Sequence, residues 1–386
     1  MIRPRAKLTI LGASTGFFCT VGFLNSFGVF EAYYMNAQLA GESESTIAWI
    51  GAISIFFIFA ISVVSGPLLD LFGPGVSSCF IIYYIDKSRL TRTQLMLYVG
   101  ALGTVFSIMM TSLCKEIYQF ILAQGILLGI SMALLACPML ALVGQHIKVK
   151  RGAAMGIVLG GSSLGGVVWP IVINELLTHS NVGFPWTMRI VGFIMLPLLM
   201  ISCLCCRPVA TPVPSSSPSP SPSQQTEPKE APARPKTDFS IIKTPTMLLS
   251  CLAFFVIYFG MFSPFFFTTS YAVQQGFSET LSFYTISIVN GASFFGRVLP
   301  GIIADKYGKF NCCILAACFS GIIALCWTTA TSVAGLVIFS AAYGFTSGVS
   351  CPLPEPSMEN ELTKSRQFSL FNKPARRKLP RLKPSG

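Results

Sequence analysis

Charge and histidine are what this chain has least of. Only 11% of its 386 residues are Asp, Glu, Lys or Arg, and there are 2 histidines. A soluble domain carries about 25% charged residues, because its exterior must be hydrated. With 52% hydrophobic residues and a mean hydropathy of +0.66, this chain cannot supply such an exterior. Lipid is the solvent that removes the requirement. The 13 cysteines lie almost all within apolar runs, and no His/Cys cluster appears among them. That pattern fits small buried hydrophobes and excludes a disulfide framework or a metal site. No motif calls for a cofactor.

Basic residues outnumber acidic ones, and the net charge is +12. In a soluble protein this would suggest nucleic acid. Here the basic residues stand between long apolar runs, as in loops that face anionic headgroups, so nucleic acid is excluded as a partner. The first run, 8–30, is longer than the roughly 7–15 apolar residues of a secretory signal and reads as a retained span. Ten runs reach the roughly 20 residues a crossing needs: 8–30, 46–69, 94–114, 117–144, 152–174, 184–206, 246–270, 281–304, 311–330 and 333–353. With a cytoplasmic N-terminus, all but Lys115, Arg189 and Arg297 of the 27 basic residues fall on the cytoplasmic side. That is the positive-inside rule, and it predicts both termini in the cytoplasm.

The fold class expected is all-α, a polytopic transmembrane bundle in two pseudo-repeated halves. The predicted divisions are 1–206, a six-helix bundle; 207–245, a cytoplasmic linker; 246–353, a second bundle of four helices; and 354–386, a basic cytoplasmic tail. The linker is rich in Ser and Pro and too poor in apolar residues to offset its ordering entropy, so it is predicted to be disordered. The spacing Gly-x3-Asp-x2-Gly occurs twice, as Gly66, Asp70 and Gly73 after the second span and as Gly301, Asp305 and Gly308 after the eighth. Glycine allows close helix approach and tight turns, and the aspartate suits the positive end of a neighbouring helix. The two loops, with Lys306, are the expected conformational switches.

The second copy, continued by Lys306 and Lys309, resembles the signature loop of the major facilitator superfamily. Further stretches resemble its fungal monocarboxylate-porter-like branch: Gly22 to Gly28 around Asn25, Ser45 to Gly51 around Trp49, Leu122 to Gly125 around Gln124, Gly161 to Gly166, Phe184 to Arg189, and Gly296 to Gly301 around Arg297. The resemblance implies two six-helix bundles rocking about a central cavity to give alternating access, and a small-molecule substrate. It covers 8–350 apart from a stretch near 75–92. Against the twelve spans of the family pattern, ten are counted here, so the last two are expected to be missing. Residues 75–92 and the tail are read as gene-model errors.

Arg297 is the leading site candidate. A charge inside a span is costly and marks function; the expectation is a bidentate grip on a substrate carboxylate. The resemblance implies the same, since an arginine in the eighth span binds substrate in animal monocarboxylate transporters. Those relatives carry an aspartate one turn earlier, where this chain has Ser293, and a lysine in the first span that is absent here. Asn25, Asn290, Tyr258 and Gln124 are further cavity candidates. Gly156, Gly161, Gly165 and Gly296 are read as helix-packing positions. No Asp or Glu lies well inside a predicted span, which speaks against a proton relay. Gly161-x-Ser163-x-Gly165 matches the nucleophile elbow of hydrolases, but an apolar helix is the wrong setting and no histidine is near, so no enzyme is expected.

The functional reading is transport of a small organic anion, monocarboxylate-like or carboxylate-bearing. Export of a fungal secondary metabolite and an inactive, non-transporting relative stay open as alternatives. A monomer in the plasma membrane is expected, with the vacuolar membrane as the other location.

Overall fold

The structure is a computed structural model that describes residues 4–71, 92–147, 150–180, 182–208 and 245–350. Gly73, the insertion-like stretch up to residue 91, most of the linker and the tail lie outside them. The described residues form helices and no strands. In lipid this follows from the backbone, whose N–H and C=O groups have no water to turn to and must pair within the segment.

The first span is built of three pieces, α1 (Pro4–Cys19), α2 (Val21–Leu24) and α3 (Phe27–Tyr33), closed by a π turn Tyr34–Gln38. The sequence predicts a single span over 8–30. The ladder instead breaks at Thr20, with φ −93° and ψ −87°, and again at Asn25–Ser26. It also runs past the predicted end, which brings Glu31 into the span as a half-buried residue.

α4 (Glu44–Leu71) and α5 (Arg92–Thr111) follow. The fourth span is α6 (Ile117–Phe120), a π segment Ile121–Leu127 and α7 (Leu128–His146). α8 (Arg151–Asn174) ends in a π turn, and α9 (Gly183–Cys205) completes the first six spans. Beyond the linker come α10 (Pro245–Gln274), α11 (Glu279–Tyr307), α12 (Lys309–Leu325) with a 3-10 turn, and α13 (Val333–Ser350). Among the described residues, 9 helices have the length and composition to cross a membrane; the tenth predicted span appears as a shorter apolar stretch, Val333–Val349.

Both signature repeats, expected in loops, ride largely on helix ends. Gly66 and Asp70 belong to the last turns of α4, and Gly301, Asp305 and Lys306 to those of α11. The break comes only at Gly308, with φ +93°, a backbone state that a side chain disfavours.

Several hydroxyls inside the spans are satisfied by their own helix, the cheapest partner in lipid. Thr20 donates to the Gly16 carbonyl at 2.8 Å, Thr104 to Gly100 at 2.8 Å and Ser54 to Ile50 at 3.0 Å. Large apolar side chains point outward, Phe259 being 78% and Leu325 82% exposed, the inside-out pattern of a lipid-solvated surface. The main core joins buried residues from Ala6 to Cys206. Two smaller clusters centre on Ala304, Cys313, Ala316 and Val349 and on Ala330, Phe339 and Tyr343.

Candidate functional site

The site is organised by α8, whose glycines fall on two faces. On one face, a Cβ added at Gly152 would stand 2.6 Å from the Gly301 carbonyl, and one at Gly301 would stand 2.7 Å from that of Gly152. One at Gly156 would strike the Arg297 carbonyl, and one at Gly166 would lie 2.5 Å from the Asn290 side chain. This face is closed against α11. On the other, Gly161 meets the Ser14 carbonyl, and a Cβ at Gly165 would stand 2.8 Å from Gly22 Cα, so α8 also lies against the first span. α11 is closed on its far side too, where Gly296 abuts the Phe345 carbonyl and a Cβ at Gly348 would stand 2.7 Å from the Ser293 carbonyl of α11. Small residues let these backbones touch, and α11 is clamped between α8 and α13.

Arg297 lies within this clamp, 7% exposed. Its Nη1 donates to the Leu159 carbonyl at 2.8 Å and to the Ser162 hydroxyl, both on α8. Ser162 in turn donates to Leu159 O at 2.8 Å. The Arg297 Nε is buried without a partner. Among the described residues no carboxylate pairs with it. A guanidinium so placed is held by dipoles alone, which leaves its field directed at whatever anion reaches it.

Two turns along α11, Asn290 is fully buried. It donates to Ile286 O at 3.0 Å and accepts from Asn25 Nδ2 at 3.1 Å. Asn25 stands at the second break of the first span, beside Ser26, whose hydroxyl is buried and unpartnered. At the other end of α11, Asp305 accepts from the backbone N–H groups of Gly152 at 2.9 Å and Ala153 at 3.1 Å. The carboxylate thus satisfies two of the orphan donors that open α8 and meets its positive dipole end, the role its spacing suggested.

Three of the five predicted substrate residues, Arg297, Asn290 and Asn25, therefore come together on the seam of α1–α3, α8 and α11. Gln124 does not join them. Only 3% exposed, it accepts from the Tyr34 hydroxyl at 2.6 Å, while its carbonyl accepts from Ser54 at 2.6 Å. It helps pack an aromatic cluster in which the Tyr34 and Phe120 rings lie 4.7 Å apart. Tyr258 is half-buried, its ring 5.8 Å from that of Phe59 on α4. Ser163 sits mid-helix in α8, with its hydroxyl buried, which is not the strand–turn–helix setting an elbow needs. Phe294, midway between Asn290 and Arg297 and 3.2 Å from a Cβ built at Gly160, escaped sequence reasoning. Only its spacing of four from Asn290 hinted at the shared face.

The sequence profile of the Major Facilitator Superfamily matches residues 8–358. The chain belongs to the Major Facilitator Superfamily. It is accordingly a multi-pass membrane transporter whose surroundings are lipid and whose substrate is a small molecule. Among superfamily members, the agnestins efflux protein of Paecilomyces divaricatus is 42% identical over 353 residues, 92% of this chain and 73% of that one. An MFS-type transporter of Aspergillus fumigatus is 42% identical over 351 residues, 90% of this chain and 76% of its own length. The aspyridones efflux protein of Emericella nidulans is 40% identical over 344 residues, 89% of this chain and 62% of its own length. These superfamily relatives are fungal, and two are named for efflux; the monocarboxylate-porter branch is not what they single out.

Proposed function

We propose that the chain exports a carboxylate-bearing small metabolite by alternating access, and that Arg297 binds the carboxylate. The observation that carries this reading is the Arg297 guanidinium, buried on the seam of α8 and α11, with a free Nε and no acidic partner among the described residues. A cation held there without a counter-ion is costly. An arriving carboxylate offsets that cost and takes up the donors left over. Export over uptake is favoured by what the similar proteins named for efflux do.

The Asp305 cap on α8 supports closure at the end of the seam that the positive-inside rule assigns to the cytoplasm. Opening toward the cargo then requires Asp305 to leave the Gly152 and Ala153 amides. The glycine faces of α8 and α11 are the surfaces along which the halves part. A monomer in the plasma membrane is the setting proposed.

Flux of a labelled carboxylate panel into proteoliposomes tests the reading. Arg297→Ala is expected to lower flux at least tenfold. Arg297→Lys should retain part of it, because an ammonium cannot make the bidentate contact. Full flux in both variants, each monodisperse in detergent, would overturn the role of Arg297.

A further inference from the structure

Asn290 and Arg297 are seven residues apart on α11, so they share one face, separated by about 10 Å along the axis. Both meet α8, at Gly166 and at Leu159 with Ser162. Phe294 lies between them against Gly160. The seam therefore reads cation, aromatic ring, amide. At its amide end the first span is broken. Asn25 spends its N–H on Asn290, which leaves its own carbonyl oxygen, and Ser26 adds a hydroxyl that is buried at 0% exposure with no partner. A buried hydroxyl without a partner is a cost that folding ordinarily avoids. Interrupted helices in transporters mark places where backbone and side-chain polar groups are kept for cargo. At the cationic end the Arg297 Nε is likewise buried and unpartnered. Unpaired groups thus lie at both ends of the seam, while the Ser293 hydroxyl, also buried without a partner, stands against Gly348 of α13.

We infer that the cargo is an elongated amphipathic acid, with a hydroxyl or carbonyl oxygen about 10 Å from its carboxylate and an apolar, preferably flat, middle. This rests on the reading of Arg297 as the carboxylate site. Once the glycine faces of α8 and α11 have parted, the carboxylate takes the free edge of Arg297 and the middle lies along Phe294. The distal oxygen bonds Asn25 and Ser26, donating to the Asn25 carbonyl or accepting from the Ser26 hydroxyl. A three-carbon monocarboxylate cannot reach both ends, so short metabolic acids are excluded as good substrates.

The test is calorimetric binding to the full chain in detergent, using three acids: a biphenyl carboxylate with a hydroxyl at the opposite para position, the same acid without the hydroxyl, and para-hydroxybenzoate. Wild type is expected to bind the hydroxybiphenyl acid about tenfold more tightly than either of the others, the worth of one well-made hydrogen bond in a dry site. Asn25→Ala with Ser26→Ala should bring that acid down to the affinity of the unsubstituted biphenyl acid. Ser26→Ala alone is the variant to read if the double one aggregates. Arg297→Ala should weaken both biphenyl acids by the same factor and keep the hydroxyl preference. No hydroxyl preference in wild type, or a preference that survives in the Asn25 and Ser26 variants, overturns the length and class of cargo. Unchanged binding of both biphenyl acids in Arg297→Ala overturns the carboxylate site beneath it, a separate result from the first.

Discussion

Asp305 shows how one residue closes a helix that is distant in sequence. Its two oxygens accept from Gly152 and Ala153, so Asp305→Ala leaves two donors at the start of α8 without an acceptor and is expected to cost about 1 kcal/mol. Asp305→Asn, which keeps one acceptor oxygen but no charge, should lose about half as much. Thermal unfolding in detergent measures both; equal stability of all three proteins would remove the cap from the account. Cys114, between the third and fourth spans, illustrates burial acting on a thiol. It is 8% exposed, bonds the Met110 carbonyl at 3.4 Å, and desolvation pushes its pKa up to about 11. Its thiolate is therefore scarce at neutral pH, and maleimide labelling should be slow there and climb steadily as pH rises toward 11. Rapid labelling at neutral pH would contradict this.

At the scale of elements, the decisive feature is that α8 is glycine-faced on two sides and α11 is gripped from two. Gly156→Val would drive a branched side chain into the Arg297 carbonyl, an overpacking that costs roughly 1–3 kcal/mol, and flux should fall with it. Gly260→Ala on α10, where a new Cβ meets nothing within 4 Å, should be neutral or slightly stabilising, since alanine is the better helix former. If the two variants behaved alike in unfolding and flux, close packing of α8 on α11 would not be what holds the seam. The glycine spacings of four were legible in the sequence because helical periodicity is local. Which face met which helix was not. Gly161 and Gly165 turned toward the first span, whereas Gly156 turned toward α11.

For the whole molecule, the one-sided distribution of basic residues predicts that tags at the two ends are reached from the same side of the membrane. Protease protection in sealed vesicles reads this directly; tags on opposite sides would break the span count. The helical class, the apolar runs and the Gly-x3-Asp-x2-Gly repeats could be read from composition and spacing, since each span answers individually to lipid. The sequence by itself also singled out Arg297 as a candidate, because a charge in such a run is expensive wherever it points. The tertiary structure decided its company: Leu159 and Ser162 in place of an acid, Asn290 paired with Asn25, and Gln124 withdrawn into the core against Tyr34. Periodicity along a chain places side chains on faces, but only packing between helices far apart in sequence determines which faces meet.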